Sequence, residues 1–221
     1  MRIRVPNVRF TWAFLGLPKH KEYDNNDGSK TVRSELTCII EPDSDAHKIV
    51  EDAIQAVAEE KWGQKASGVR VKLRADKRDL LMDGNANLNQ EGEVWDGFQD
   101  MLYFRPFRKA EKGRVRVLNA NAVEITPDNL SSFPLDGDGH PPRWGDFGTV
   151  QVNIWAQDHE KGGKRINAEL EIVMVTRDGD PLGTSQASGT EDTDLAAFAA
   201  SQGVEVRGPS LDDVDAGGLS K

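Results

Sequence analysis

The sequence predicts a mainly-β fold, a barrel or sandwich of short strands with one amphipathic helix among them. Three observations predict it. Apolar and polar residues alternate in run after run along the first 180 or so residues of the 221-residue chain, the period of half-buried strands. One segment, about 44–62, switches to helical spacing. From Asp178 onward both periods stop, and Gly, Ser, Thr, Asp and Ala dominate. That composition does not repay the entropy of ordering. The expected organisation is a domain over 1–183 followed by a disordered acidic tail over 184–221.

The elements follow in order. Val8, Phe10, Trp12 and Phe14 alternate with Arg9, Thr11 and Ala13, which predicts a strand over 1–14. Residues 18–30 are polar, with a turn signal at Asp27-Gly28, and read as a loop or hairpin end. Val32, Ser34, Leu36, Cys38 and Ile40 form the next strand. Ala46, Ile49, Val50, Ala53, Ile54, Val57, Ala58 and Trp62 then fall on one helical face. Pro42-Asp43-Ser44-Asp45 supplies the N-cap and first-turn acids, and Gly63 the stop. Val69, Val71 and Leu73 alternate with Arg70, Lys72 and Arg74 and read as a strand. Residues 75–96 read as a long polar loop, 98–107 as aromatic and β-prone. A strand begins at Arg114-Val115-Arg116-Val117, and a Pro/Gly/Asp-rich loop covers 126–146. Val150, Val152 and Ile154, then Ile166, Ala168, Leu170, Ile172 and Met174, mark the last two strands, with a turn at Lys161–Lys164.

Composition narrows the function. No stretch of 18 apolar residues exists to cross a membrane, and Met1-Arg2-Ile3-Arg4-Val5-Pro6 lacks the apolar core of a secretory signal. One cysteine and four histidines leave little for a disulfide framework or a cysteine/histidine zinc site. The net charge is −9, but residues 184–221 hold seven acids against two bases, or −5 of it. A basic patch can therefore sit on the body despite the acidic total.

Signals for catalysis are weak. The chain lacks a P-loop, a nucleophile elbow, a zincin helix and a C-x-x-C pair. Asp136-Gly-Asp138-Gly-His140 has the carboxylate spacing of a hard-cation site, but not the spacing or closing Glu of a calcium loop, and reads as a Gly-rich turn. Cys38 reads as a buried thiol, His20 and His159 as solvated loop residues. The sequence thus predicts no enzyme, no metal and no cofactor. The basic residues say more. Arg2 and Arg4 flank Ile3, Arg70, Lys72 and Arg74 alternate with Val69, Val71 and Leu73, and Arg114 and Arg116 flank Val115. Strands so patterned would show a basic face over an apolar one. Beside them runs Tyr103-Phe104-Arg105-Pro106-Phe107-Arg108-Lys109, aromatics interleaved with cations. Cations that track phosphates and rings that stack on bases are what single-stranded nucleic acid requires. The candidate contacts are Arg70, Lys72, Arg74, Tyr103, Arg105, Phe107, Arg108, Arg114 and Arg116, with Phe104 assigned to the core. Two other readings compete: a β-rich structural or assembly protein of a virion, and a metal-dependent nuclease using the 136–140 acids.

The order of motifs resembles a known family. Ile39-Ile40-Glu41-Pro42-Asp43-Ser44-Asp45 leads into the helix ending Lys61-Trp62-Gly63. Leu118-Asn119-Ala120-Asn121 follows, then Gly148-Thr-Val-Gln-Val-Asn-Ile-Trp155. Arg177-Asp178-Gly179-Asp180-Pro181-Leu182-Gly183 precedes the acidic Glu191-Asp192-Thr193-Asp194. Over roughly residues 3–198 this resembles the phage single-stranded DNA-binding proteins with an oligonucleotide-binding (OB) fold and an acidic C-terminal tail. The resemblance implies an OB barrel and binding of single-stranded DNA without sequence preference in phage replication and recombination. It also implies replication proteins docking on the tail, a monomer or homodimer, no membrane partner, and a place in the cytoplasm of the infected bacterial host. Relatives often close the acidic tail with an aromatic or hydrophobic residue. Here Leu211-Asp212-Asp213-Val214-Asp215 is followed by Gly217-Gly218-Leu219-Ser220-Lys221.

A flexible acidic tail competes with DNA for a basic face. Deleting residues 184–221 is expected to raise single-strand affinity, most visibly at low salt, with little change in melting temperature. Unchanged or weaker binding in a low-salt titration would contradict the competition.

Overall fold

In the computed structural model the described residues are 1–15, 21–24, 28–126, 128–129, 143–160 and 162–182, without the side chains of Trp12, Phe14 and Lys21. The expected tail, the 136–140 acids and His20 lie outside them.

Among the described residues, ten strands form one sheet system. They are β1 (Arg2–Phe14), β2 (Lys21–Asp24), β3 (Lys30–Ile40), β4 (Met82–Asp83), β5 (Leu102–Phe104), β6 (Phe107–Lys109), β7 (Arg116–Leu118), β8 (Glu124–Ile125), β9 (Phe147–His159) and β10 (Gly163–Arg177). β1 pairs antiparallel with both β3 and β9, and β9 with β10. β6 lies antiparallel to β3 and parallel to β10. The pairing therefore runs β1–β3–β6–β10–β9 and back to β1, a five-stranded ring of the OB type.

Alternation sets what fills the ring. Val5, Leu36, Cys38, Val150, Val152, Ile154, Ile166, Ala168 and Leu170 are buried, while their neighbours Arg4, Gln151, Asn153 and Glu169 point outward. In β1 the inward set resumes at Val8 and Phe10 after a register shift between Val5 and Val8, where Asn7 takes φ 52°.

Helix α1 (Asp45–Trp62) matches its prediction closely. The Ser44 hydroxyl caps it by accepting from the His47 N–H at 3.2 Å. Its buried stripe, Ala46, Val50, Ala53, Ile54, Val57 and Ala58, packs against β1 and β9.

The strand expected at Val69–Arg74 is instead a second helix, α2 (Ala66–Ala75). Gly63, at φ 54°, ends α1, and one 3-10 turn separates the two. Ala66, Val69, Arg70 and Leu73 also fit helical spacing, and so short a run satisfies both periods. Tertiary contacts decide between them. Arg70 is buried on the α2 face toward α1, donating to Glu51 at 2.9 and 3.0 Å, Gln55 at 2.9 Å and Asp79 at 3.3 Å. Arg74, one turn on, reaches Glu51 at 2.7 Å and Asp79 at 3.2 Å. A strand would turn these two guanidinium groups away from α1.

Two consequences are measurable. Asp79 is almost fully buried, and Arg70→Ala removes one of the two guanidinium groups that compensate its carboxylate while leaving Glu51 and Gln55 without that partner. Its expected cost is roughly 3–5 kcal/mol in a denaturant melt. For Glu51, partial burial acts to raise the carboxyl pKa, but the hydrogen bonds and charges of Arg70 and Arg74 outweigh it and hold the group below its ordinary value. A depressed carboxyl stabilises the fold above the unfolded-state pKa and loses that contribution as pH falls through the folded one. Stability is therefore expected to drop in acid below the ordinary glutamate range, and Glu51→Gln to flatten that drop. An unaltered pH profile in the variant would contradict this role.

Candidate nucleic-acid interface

β6 joins β10 through the pair Phe107–Glu169. On the N-terminal side of that pair the two parallel strands separate, and the segment Lys77–Leu80 after α2 crosses the opening. The Ile166 N–H donates to the Arg78 carbonyl at 3.3 Å, and Leu80 is buried beneath. A groove of about 260 Å³ results, with Lys77, Arg78, Arg105 and Arg165 around the half-buried ring of Phe107. Its carboxylate, Asp79, is already engaged by Arg70 and Arg74. Arg105 donates to Asn87 at 3.3 Å, and the Arg78 guanidinium donates to the Gly162 carbonyl in the β9–β10 turn.

The outer surface of β3 extends this groove. Arg33 stands between two rings, 3.9 Å from the centroid of Tyr23 on β2 and 5.1 Å from that of Phe107. Glu35 holds Arg33 at 2.8 Å and accepts from the Tyr23 hydroxyl. These contacts fix Phe107 from one side without burying it. Exposed cations beside a fixed ring can bind phosphates and stack a base, and in OB folds the face of the second and third strands is where oligonucleotides lie. The ring order makes β3 and β6 those strands.

The structure sorts the predicted contacts. Arg105 and Phe107 come together in the groove. Arg70 does not reach solvent: at 5% exposure it is an internal clamp. Arg74 is exposed but tied to Glu51 and Asp79. Lys72 lies exposed on α2, in a neighbouring cleft. Tyr103, expected to be exposed, is only 7% so, because β4 and the 84–100 segment cover the outer side of β5. Its ring meets Phe98 edge-on at 5.2 Å and lies under the Arg105 guanidinium at 5.0 Å. Phe104 is core, as expected. Arg108 donates to Glu169 at 3.0 Å and to the carbonyls of Gly113 and Lys112. Arg116 pairs with Glu124 at 3.0 Å, and Arg114 is exposed beside the buried Val115.

The three basic runs do not make one face, since one is a helix and Arg2 of another pairs with Glu171 at 2.7 Å. Sequence reasoning missed Arg33, Lys77, Arg78 and Arg165. Arg33 carried a signal, as the outward position between Val32 and Ser34, whereas Lys77 and Arg78 sit in a loop that only tertiary packing brings to β10. Among the described residues no group of three or more His, Cys, Asp or Glu could hold a metal ion. Burial pushes the Cys38 thiol well above its ordinary pKa, as befits a core residue.

A family profile described as "Enterobacter phage Enc34, ssDNA-binding protein" matches residues 1–201. The chain belongs to this family. The family is one of DNA-binding proteins, not enzymes. Among solved structures, the single-stranded DNA-binding protein of bacteriophage Enc34 in complex with ssDNA is 22% identical, at a TM-score of 0.59, over 82% of this chain and 89% of that one. A second structure of the Enc34 protein is 20% identical, at a TM-score of 0.56, over 87% and 89%. These likenesses establish a shared fold. No curated protein sequence matches the chain. Among the described residues, no helix is long and apolar enough to cross a membrane.

The burial of Tyr103 has a measurable outcome. Tyr103→Ala is expected to cost roughly 3–5 kcal/mol of stability, as a core aromatic does, while the folded fraction keeps its affinity for oligo-dT. A tenfold loss of affinity at unchanged stability would restore Tyr103 to the surface.

Proposed function

We propose that this protein binds single-stranded DNA, without sequence preference, along the outer face of β3 and β6 and the groove between β6 and β10, in phage DNA replication and recombination. The observation that carries the assignment to this face is that Lys77, Arg78, Arg105 and Arg165 line one groove together with Phe107, whose ring lies against Arg33. The cations neutralise phosphates, whose spacing is the same for every sequence. The ring stacks on a base through a π-face that all four bases share. Phosphate contacts position a strand without reading its bases, so affinity rather than specificity is the expected product. The acidic segment 184–221 is the natural surface for basic partners such as replication proteins, and the protein acts in the cytoplasm of the infected host as monomer or homodimer.

The test is a fluorescence-anisotropy titration with labelled oligo-dT at several salt concentrations. Each phosphate contact contributes about −0.7 to the slope of log affinity against log salt. Arg105→Ala and Arg165→Ala are each expected to reduce the slope by about that amount. Phe107→Ala is expected to cost roughly 1–3 kcal/mol of binding with little change in slope, since stacking releases no counterion. Arg116→Ala, at a residue paired to Glu124, is the control. Affinity independent of salt, or equal losses in the control, would overturn the assignment of this face.

A further inference from the structure

A second cleft lies around the corner from the groove, between α2 and the β9–β10 turn. Its walls include Lys65, Val69, Lys72, Arg78, Gly163 and Lys164. Arg78 lines both this cleft and the first groove, so the two are neighbours on the surface. Lys65, in the 3-10 turn just before α2, and Lys72, two turns further on, are both exposed. Lys164 pairs with Asp158 and lies 5.8 Å from the Trp62 ring centroid. Asp76 is the acid on the lining. The floor is half-buried Val69 and buried Leu73, and at Gly68 a β-carbon would meet no atom within 4 Å. A glycine inside a helix weakens it by roughly 1 kcal/mol relative to Ala. Here it leaves open space where a side chain would narrow the cleft.

We infer that this cleft is the continuation of the DNA path: a strand leaving the Phe107 groove passes Arg78 and runs its sugar–phosphate backbone between α2 and the β9–β10 turn. The inference rests on the proposed reading of the first groove and deepens it. Three features select this occupant. The cations outnumber the acid, which suits a phosphodiester. The apolar floor suits the sugar and the faces of the bases rather than a free phosphate. Arg78, on the lining of both cavities, gives them a cation in common. Helix α2 thereby lengthens the binding site beyond the OB ring.

Oligonucleotide length separates the two segments. An oligo-dT of about five nucleotides fills only the first groove, whereas one of about twenty spans both, given roughly 4–16 nucleotides per OB fold. Lys65→Ala with Lys72→Ala is expected to lower the salt slope for the long oligonucleotide by about 1.4, two contacts at about 0.7 each, and to leave the short one unchanged. Gly68→Glu, in open space on a helix, is expected to weaken the long oligonucleotide at least fivefold. Gly68→Ala is expected to raise the melting temperature and leave affinity alone. Unchanged binding of the long oligonucleotide in both the lysine and Gly68→Glu variants, with melting temperatures near the parent's, would overturn the extension. So would equal losses for both lengths, which a merely diffuse field would give. Phe107→Ala discriminates the two readings. If it weakens both lengths while the cleft variants have no effect, the first groove stands and the extension falls. If it weakens neither, the first groove falls and the extension with it.

Discussion

The pairing of Arg70 with Asp79 and Glu51 is the constraint on which the site depends. Asp79 stands at the end of the segment that leaves α2, and its carboxylate is nearly without solvent. A carboxylate so placed is tolerable only when charge and hydrogen bonds compensate it. Arg70 and Arg74 supply both, and the Leu80 N–H adds a bond at 2.9 Å. Through Glu51 the same two arginines tie α2 to α1, which is itself packed on β1 and β9. The path Lys77–Leu80 follows from this clamp, and with it the position of Lys77 and Arg78 over the opening between β6 and β10.

That opening is what distinguishes this ring from a sealed barrel. β9 and β10 pair along most of their length, from Gly163–His159 to Arg177–Phe147. β6 contributes a three-residue strand, and β7 continues its edge along β10 beyond Glu169. Pro106, buried between β5 and β6, lacks the N–H a continuous strand would need there. The aromatic–cation segment is therefore broken where the ring closes, and Phe107 emerges beside a gap instead of inside a flat sheet. Its guanidinium neighbour Arg33 holds it there through the ring face, at a small cost in exposed area.

Net charge hides this arrangement. The chain is acidic overall, and most of the basic residues singled out from the sequence are matched by an acid within 4 Å: Arg2 by Glu171, Arg74 by Glu51, Arg108 by Glu169, Arg116 by Glu124. Such pairs contribute little at the surface. They do remove those cations from the field that a polyanion senses, so a few cations converging on one groove count for more than many dispersed ones.

The sequence by itself determined the strands β1, β3, β9 and β10, helix α1 with its cap, and the core position of Phe104 and Cys38, because alternation and helical spacing sustained along elements of eleven to eighteen residues leave one periodicity. It also marked Arg105 and Phe107, through cations interleaved with rings, and the motif order that placed the chain in its family. The tertiary structure alone decided the rest. Ala66–Ala75 is too short for its period to choose between strand and helix, and the choice fell to Glu51 and Asp79, residues on either side of it. The burial of Tyr103 was set by Met82 and Phe98, which no local pattern could bring to it. Lys77, Arg78, Arg105 and Arg165 are spread over 89 residues of sequence, and they share one groove because a buried carboxylate and a broken strand put them there.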